Sequence, residues 1–168
     1  MSSAQQLLQD APDSFKANIT VAEEVNTVAD IIADCLKQGG KIFFCGNGGS
    51  AGDAQHLEAE FLGRFLKERQ ALPAIALTTN ASAVTAIAND YGYVEVFSRQ
   101  LAGLAKAGDV LVGIFTSGNS SNVIKTFHTA KEHQVKTIAL TGQKVSEASA
   151  LADIAIRVPS THTPRIQE

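Results

Sequence analysis

FFCGNGGSAGDAQHLEAEF, residues 43–61, changes character twice. An apolar run stops at glycines, an asparagine and a serine. A helical pattern then resumes, carrying His56, Glu58 and Glu60. KIFFCG is short, apolar and bounded by glycine, the pattern of a strand buried on both faces of a parallel sheet. The same succession of strand, Gly/Asn/Ser turn and helix recurs downstream. DVLVGIFT (109–116) runs into SGNS and then SNVIKTFHTAKEHQ.

Working outward, VAEEVNTVADIIADCLK (21–37) places Val21, Val25, Val28, Ile32, Cys35 and Leu36 at helical spacing, and QGG ends that helix. The segment after the first turn predicts a helix over residues 50–66. PAIALTT (73–79) is a second strand, SAVTAIANDYG a short helix, and VEVFSRQLAGLAKAG another ending on Gly108. VKTIALTG and DIAIRVP are the fourth and fifth strands, separated by a weakly helical QKVSEASALA. Short apolar strands alternating with helices predict an α/β fold: a three-layer α/β/α sandwich around a five-stranded parallel sheet. No linker or low-complexity tract divides the chain, so residues 1–168 read as one domain, with residues 1–38 as a helical leader.

The chain has 168 residues, of which 45% are hydrophobic, enough for a single sizeable core. Its net charge of −3, with scattered lysines and arginines, argues against binding nucleic acid through the domain's own charge. Cys35 and Cys45 lie in apolar surroundings and read as buried thiols of a reducing compartment. The first 20 residues contain Asp10, Asp13 and Lys16 and no apolar core of signal-peptide length, and no run could span a bilayer. A cytoplasmic chain with no membrane partner is the expectation.

The turns CGNGGS and TSGNSS each open a helix. Helix N-termini offer unpaired N–H groups, glycines admit an anion closely, and serines add donors. Ordinary capping by Ser50 and by Ser120 or Ser121 accounts for either turn alone. Two such turns on one parallel sheet point to a phosphate or polyol site. No G-x-G-x-x-G register and no G-x-x-x-x-G-K-[ST] occurs, so a sugar phosphate fits better than a dinucleotide or triphosphate.

His56 and Glu60, four apart, should place their Cβ atoms ~6 Å apart on one helix face. Leu57, Phe61 and Leu62 are expected to face the sheet, with Glu58 in solvent. The pair is either a surface ion pair or two of the three or four ligands that a zinc site needs. Beyond the phosphate-type turn, a carboxylate is also well placed as a base for a proton alpha to a carbonyl. Asn89 and Asp90 in AIANDYG read either as a helix terminus or as contacts to sugar hydroxyls.

CGNGGS, DAQHLEAEFLGRF, PAIAL, AIANDYG, FSRQ, AGDVL, TSGNSSNVIK, IALTG, IRVPS and RIQE together resemble the sugar isomerase (SIS) domain family, from residue 40 to the end. The similarity is greatest to members that convert sedoheptulose 7-phosphate to a heptose 7-phosphate for lipopolysaccharide synthesis. The resemblance implies a flavodoxin-like sheet and a homotetramer with sites at subunit interfaces. It assigns Asn47, Gly48 and Gly49 to the substrate pocket, and Ser50, Thr116, Ser117 and Ser120 to the phosphate and nearby oxygens. Asn89 and Asp90 would contact the sugar. His56, Glu60 and Gln167 would bind zinc, Glu60 also being the catalytic base. Two departures stand out. Phe115 occupies the place of a serine in the family's phosphate turn. The family's pattern also continues past RIQE into a helix bearing a second catalytic histidine, the fourth zinc ligand, so that helix is expected to be missing after Glu168. Two relatives set the alternatives: a non-catalytic protein that binds the DnaA replication initiator, and a regulatory domain that senses a sugar phosphate. The former lacks the glutamate that stands here as Glu60.

Overall fold

A computed structural model describes residues 3–168. Five strands, β1 (Ile42–Gly46), β2 (Ala74–Ala76), β3 (Val110–Ile114), β4 (Lys136–Thr141) and β5 (Ile154–Arg157), form one all-parallel sheet in the order β2-β1-β3-β4-β5. Eight α-helices accompany them: α1 (Ala4–Ala17), α2 (Ala22–Lys37), α3 (Gly49–Leu62), α4 (Ala81–Tyr91), α5 (Ser98–Leu104), α6 (Ser121–Glu132), α7 (Glu147–Leu151) and α8 (Thr163–Gln167).

The strands are apolar throughout because both faces are covered, and alternate residues serve different layers. Phe43, Cys45, Leu111 and Ala139 pack with Val123 and Phe127 of α6, Leu101 of α5 and Ala148 of α7. Ile42, Phe44, Val110, Val112 and Ile138 pack with Val28 and Cys35 of α2 and with Ala54, Leu57 and Phe61 of α3. The expected three-layer sandwich is therefore the observed one. Leu62, expected to face the sheet, is 47% exposed instead, and Glu58, expected in solvent, is half-buried.

The glycines after α2 stop it as anticipated. Gly39 has φ +75°, its N–H donates to Leu36 O, and the Gly40 N–H donates to Cys35 O. These two bonds make a Schellman motif. Helix α3 stops four residues earlier than the expected 66, at Gly63, and residues 64–73 form neither helix nor strand. The leader is two helices rather than one. α1, with Pro12 inside it, buries no residue and exposes Leu8 and Phe15, and Ile19 just after it is exposed as well. At the opposite end of the sheet, fully buried Asp109 accepts bonds from the Lys41 N–H (3.0 Å), the Lys41 ammonium (2.7 Å) and the Lys106 N–H (2.9 Å). Among the described residues no helix is long and apolar enough to cross a membrane.

Candidate functional site

β1 and β3 are neighbours in the sheet, yet the chain leaves β1 for α3 on one face and β3 for α6 on the other. This reversal is a topological switch point, where open α/β sheets bind ligands beyond their strand C-termini. Both glycine–serine turns lie there.

In the first turn Gly46 ends β1, and Gly48 takes φ +57° to redirect the backbone into α3. Asn47 O accepts from Ser50 N and Gly48 O from Ala51 N, which closes the turn on itself. The N–H groups of Gly48 and Gly49 find no partner among the described residues. Gly48, not Ser50, is the residue that caps α3; the buried Ser50 lies inside the first turn, and its hydroxyl donates to Gln167 Oε1 at 3.2 Å. A Cβ on Gly49 would stand 3.2 Å from that same oxygen, so Gly49 lets α8 come close.

In the second turn Gly118 has φ +72° and packs so tightly that a Cβ would meet Ser146 Oγ at 2.1 Å. Asn119 braces the turn by bonding to Ser117 and to the Glu147 N–H. Ser120 caps α6 by position, but its hydroxyl makes no capping bond. The N–H groups of Ser117, Gly118 and Ser120 make no bond within the described residues, so this turn keeps a cluster of unpaired donors, although Gly118 itself is buried. Phe115 causes no vacancy in the cradle. Its ring is buried edge-on against Phe127 at 5.8 Å, and its N–H is committed to Leu140 O.

The two turns are clasped together. Asn47 Nδ2 donates to Asn122 Oδ1, and Asn122 Nδ2 donates back to Asn47 Oδ1, both at 2.9 Å. The Tyr93 hydroxyl adds a third bond to Asn47 Oδ1, at 3.2 Å. Sequence reasoning overlooked both partners. Asn122 lies in the first turn of α6, and nothing in the sequence pattern singles out either it or Tyr93.

His56 and Glu60 face each other one turn apart on α3, with Nε2 and Oε1 3.9 Å apart. His56 is 74% exposed and Glu60 32% exposed. His56 shares the wall of a cavity of about 360 Å³ with Asp53, Thr116, Arg165 and Gln167. Gln167 is held there twice, by Ser50 and by donation from its Nε2 to Asp53 Oδ2. Asp53 was also missed, although Asp53, His56 and Glu60 follow the i, i+3, i+7 spacing of one helix face. Among the described residues no group of three His, Cys, Asp or Glu side chains is arranged to hold a metal. His56 and Glu60 are donor types that zinc accepts; Gln167 shares a cavity wall with His56, Glu60 does not line that cavity, and the Gln167 amide is engaged by Ser50 and Asp53.

A second cavity, of about 280 Å³, lies between Thr116–Ser117 and the loop after β4, with Lys144, Ser160 and Thr161 on its far side. Asn89 and Asp90 are exposed on the last turn of α4 and bonded to each other at 2.8 Å; they line neither cavity. The structure thus gathers Asn47, Ser50, His56, Thr116, Ser117 and Gln167 around the switch point. Asn89 and Asp90 connect to it only through the segment that carries Tyr93.

Comparison with known proteins agrees with this geometry. The SIS domain profile matches residues 10–142. A phosphoheptose isomerase from Rhodospirillum rubrum is 50% identical over 160 residues, 95% of this chain and 85% of the relative. One from Aliarcobacter butzleri is 54% identical, covering 89% and 79%. Among solved structures, the phosphoheptose isomerase of Neisseria gonorrhoeae superposes with a TM-score of 0.87 at 43% identity, covering 97% and 89%. That of Francisella tularensis gives 0.90 at 36% identity, covering 99% and 91%.

Proposed function

Because this chain belongs to the SIS domain family, and within it to the phosphoheptose isomerases, we propose that it interconverts sedoheptulose 7-phosphate and D-glycero-D-manno-heptose 7-phosphate. One observation carries the reading. Two donor-rich turns are clasped at the switch point, and the helix that leaves one of them carries Glu60 three turns on.

The unpaired N–H groups of Ser117, Gly118 and Ser120, with the hydroxyls of Thr116, Ser117 and Ser120, form the phosphate cradle. The turn of Asn47, Gly48, Gly49 and Ser50 would border the substrate beside it; Asn89 and Asp90, exposed on α4 outside both cavities, would meet only a sugar that extends beyond them. Anchored by its phosphate, the sugar extends its C1–C2 end along α3. Converting the 2-ketose to the aldose moves one proton from C1 to C2 through an enediol. Glu60 accepts the C1 proton as the C1–C2 double bond forms and the C2 carbonyl oxygen takes up a proton; a proton, exchangeable with solvent while on Glu60, then goes to C2 as the C1 hydroxyl gives up its own and becomes the aldehyde. His56, Glu60 and Gln167 would hold zinc, whose bound form would polarise the carbonyl oxygen. The enzyme would act as a cytoplasmic homotetramer, with the exposed apolar residues of α1 as contact surface, and its product would feed the heptose of the lipopolysaccharide core.

The test is incubation with sedoheptulose 7-phosphate in deuterated water, with and without zinc, followed by nuclear magnetic resonance of the products. The wild-type chain should form the heptose phosphate and incorporate solvent deuterium at C2. Glu60→Gln keeps the shape and removes the base, so it should abolish both while still binding the phosphosugar. Full activity in Glu60→Gln would reduce the glutamate to a surface partner of His56.

A further inference from the structure

Helix α3 ends without the usual means. Residues 64–68, beyond Gly63, are exposed and irregular, with Phe65 and Leu66 in solvent and Leu66 at φ +59°. The last carbonyls of a helix need partners, and its C-terminus carries partial negative charge. The Leu72 N–H donates to Phe61 O at 3.0 Å, and one side chain from the following segment reaches this and neighbouring carbonyls and supplies the positive charge. Arg69 Nη2 donates to Glu60 O at 2.6 Å. Arg69 Nη1 lies 2.9 Å from Phe61 O, 3.0 Å from Gln70 O and 3.4 Å from Gly63 O. A single guanidinium thus gathers the backbone of the turn that carries Glu60 and pins the loop behind it.

From this geometry we infer that Arg69 is a positioning residue for the Glu60 carboxylate; the inference rests on the reading of Glu60 as the base. Glu60 lies in the last turn of α3, which ends at Leu62. The glycine turn opens the same helix about 17 Å away, at 1.5 Å per residue. Loss of the guanidinium therefore frees the end of the helix that holds the base and leaves the phosphate end in place. Lysine supplies the charge but not the planar fork that reaches several carbonyls at once.

The experiment measures kcat and KM for sedoheptulose 7-phosphate in Arg69→Lys and Arg69→Met, with Glu60→Gln alongside, on protein shown to be folded by its melting curve. A misplacement on the order of 1 Å costs about a hundredfold in rate. The expected result is a kcat about 10- to 100-fold lower in Arg69→Met, a smaller loss in Arg69→Lys, and a KM within about threefold of wild type in both. Should Arg69→Met not fold, the kcat loss at constant KM in Arg69→Lys decides. The inference is overturned if either folded variant keeps kcat within about twofold of wild type, or if KM rises in step with the loss of kcat. An active Glu60→Gln would instead overturn the reading of the base, so the two failures are distinguishable.

Discussion

Gly46→Ala is the sharpest test of how the sheet delivers the first turn to its ligand. Gly46 has no left-handed φ that would demand glycine; what demands it is proximity. A Cβ there would lie 2.7 Å from Ser50 Cβ, 2.8 Å from Ser50 O and 2.9 Å from Ser50 C, whereas ordinary contact begins at 3.4 Å. The first turn of α3 must therefore retreat by about 0.7 Å, and most of what the new Cβ meets is backbone, which cannot rotate away. Overpacking of this kind costs about 1–3 kcal/mol, or roughly 2–12 °C in Tm for a chain of this size. The same retreat displaces Ser50 and, through its hydroxyl, Gln167. A shift approaching 1 Å should lower kcat/KM by about 10- to 100-fold. To separate geometry from stability, Gly103→Ala supplies a compensating change. Gly103 sits in α5 with nothing within 4 Å of a Cβ, so alanine there should return about 0.5–1 kcal/mol. Melting curves and turnover of Gly46→Ala, alone and with Gly103→Ala, make the assay. The reasoning is refuted if Gly46→Ala keeps kcat/KM within about twofold of wild type, or if restoring stability restores turnover.

The double variant Ser117→Ala, Ser120→Ala should weaken sedoheptulose 7-phosphate binding by several-fold to about a hundredfold by calorimetry, since hydrogen bonds to a charged group contribute about 1.5–3 kcal/mol each; unchanged affinity would place the phosphate elsewhere. A third expectation concerns pH. Burial pushes the Asp153 carboxyl up, but bonds from the Thr137 N–H and hydroxyl, with the charges of Lys136 and Lys131, outweigh it and hold the carboxyl below its ordinary value. A depressed folded value adds stability above the unfolded value, and that stability is lost as pH falls through the folded one. Asp153→Asn should therefore melt with a flatter acid dependence below about pH 5, and an unchanged slope would show that the carboxylate is not stabilised by folding.

The sheet was legible in the sequence because burial on both faces leaves little room for anything but apolar runs, as in Ile42–Gly46 and Val110–Ile114. Two signals were misjudged for local reasons. The apolar Phe65 and Leu66 continued the helical rhythm past Gly63, although both end in solvent. Ser50 has the chemistry of an N-cap, but the positive φ of Gly48 starts the helix earlier. The turns were legible as donor-rich, because glycine and serine announce what they do locally. The contacts between them were not. Asn122 meets Asn47 across 75 positions of chain, Gln167 meets Ser50 across 117, and no short-range pattern encodes such pairs. Arg69 was hidden in the same way: a lone arginine in an exposed connection shows its acceptors only once the chain has folded back on α3.

The Asn47–Asn122 clasp also orders events in time. Asn47 follows β1 directly and Asn122 lies in the first turn of α6, so neither can find the other until β1 has paired with β3 and α6 has docked on the sheet. Closing so long a loop costs entropy that only completed packing repays. The donor cradle is therefore among the last features of the chain to assemble. A folding intermediate that still lacks one layer has no clasped site to present, and a phosphosugar added during refolding can select the finished fold but cannot template the path to it.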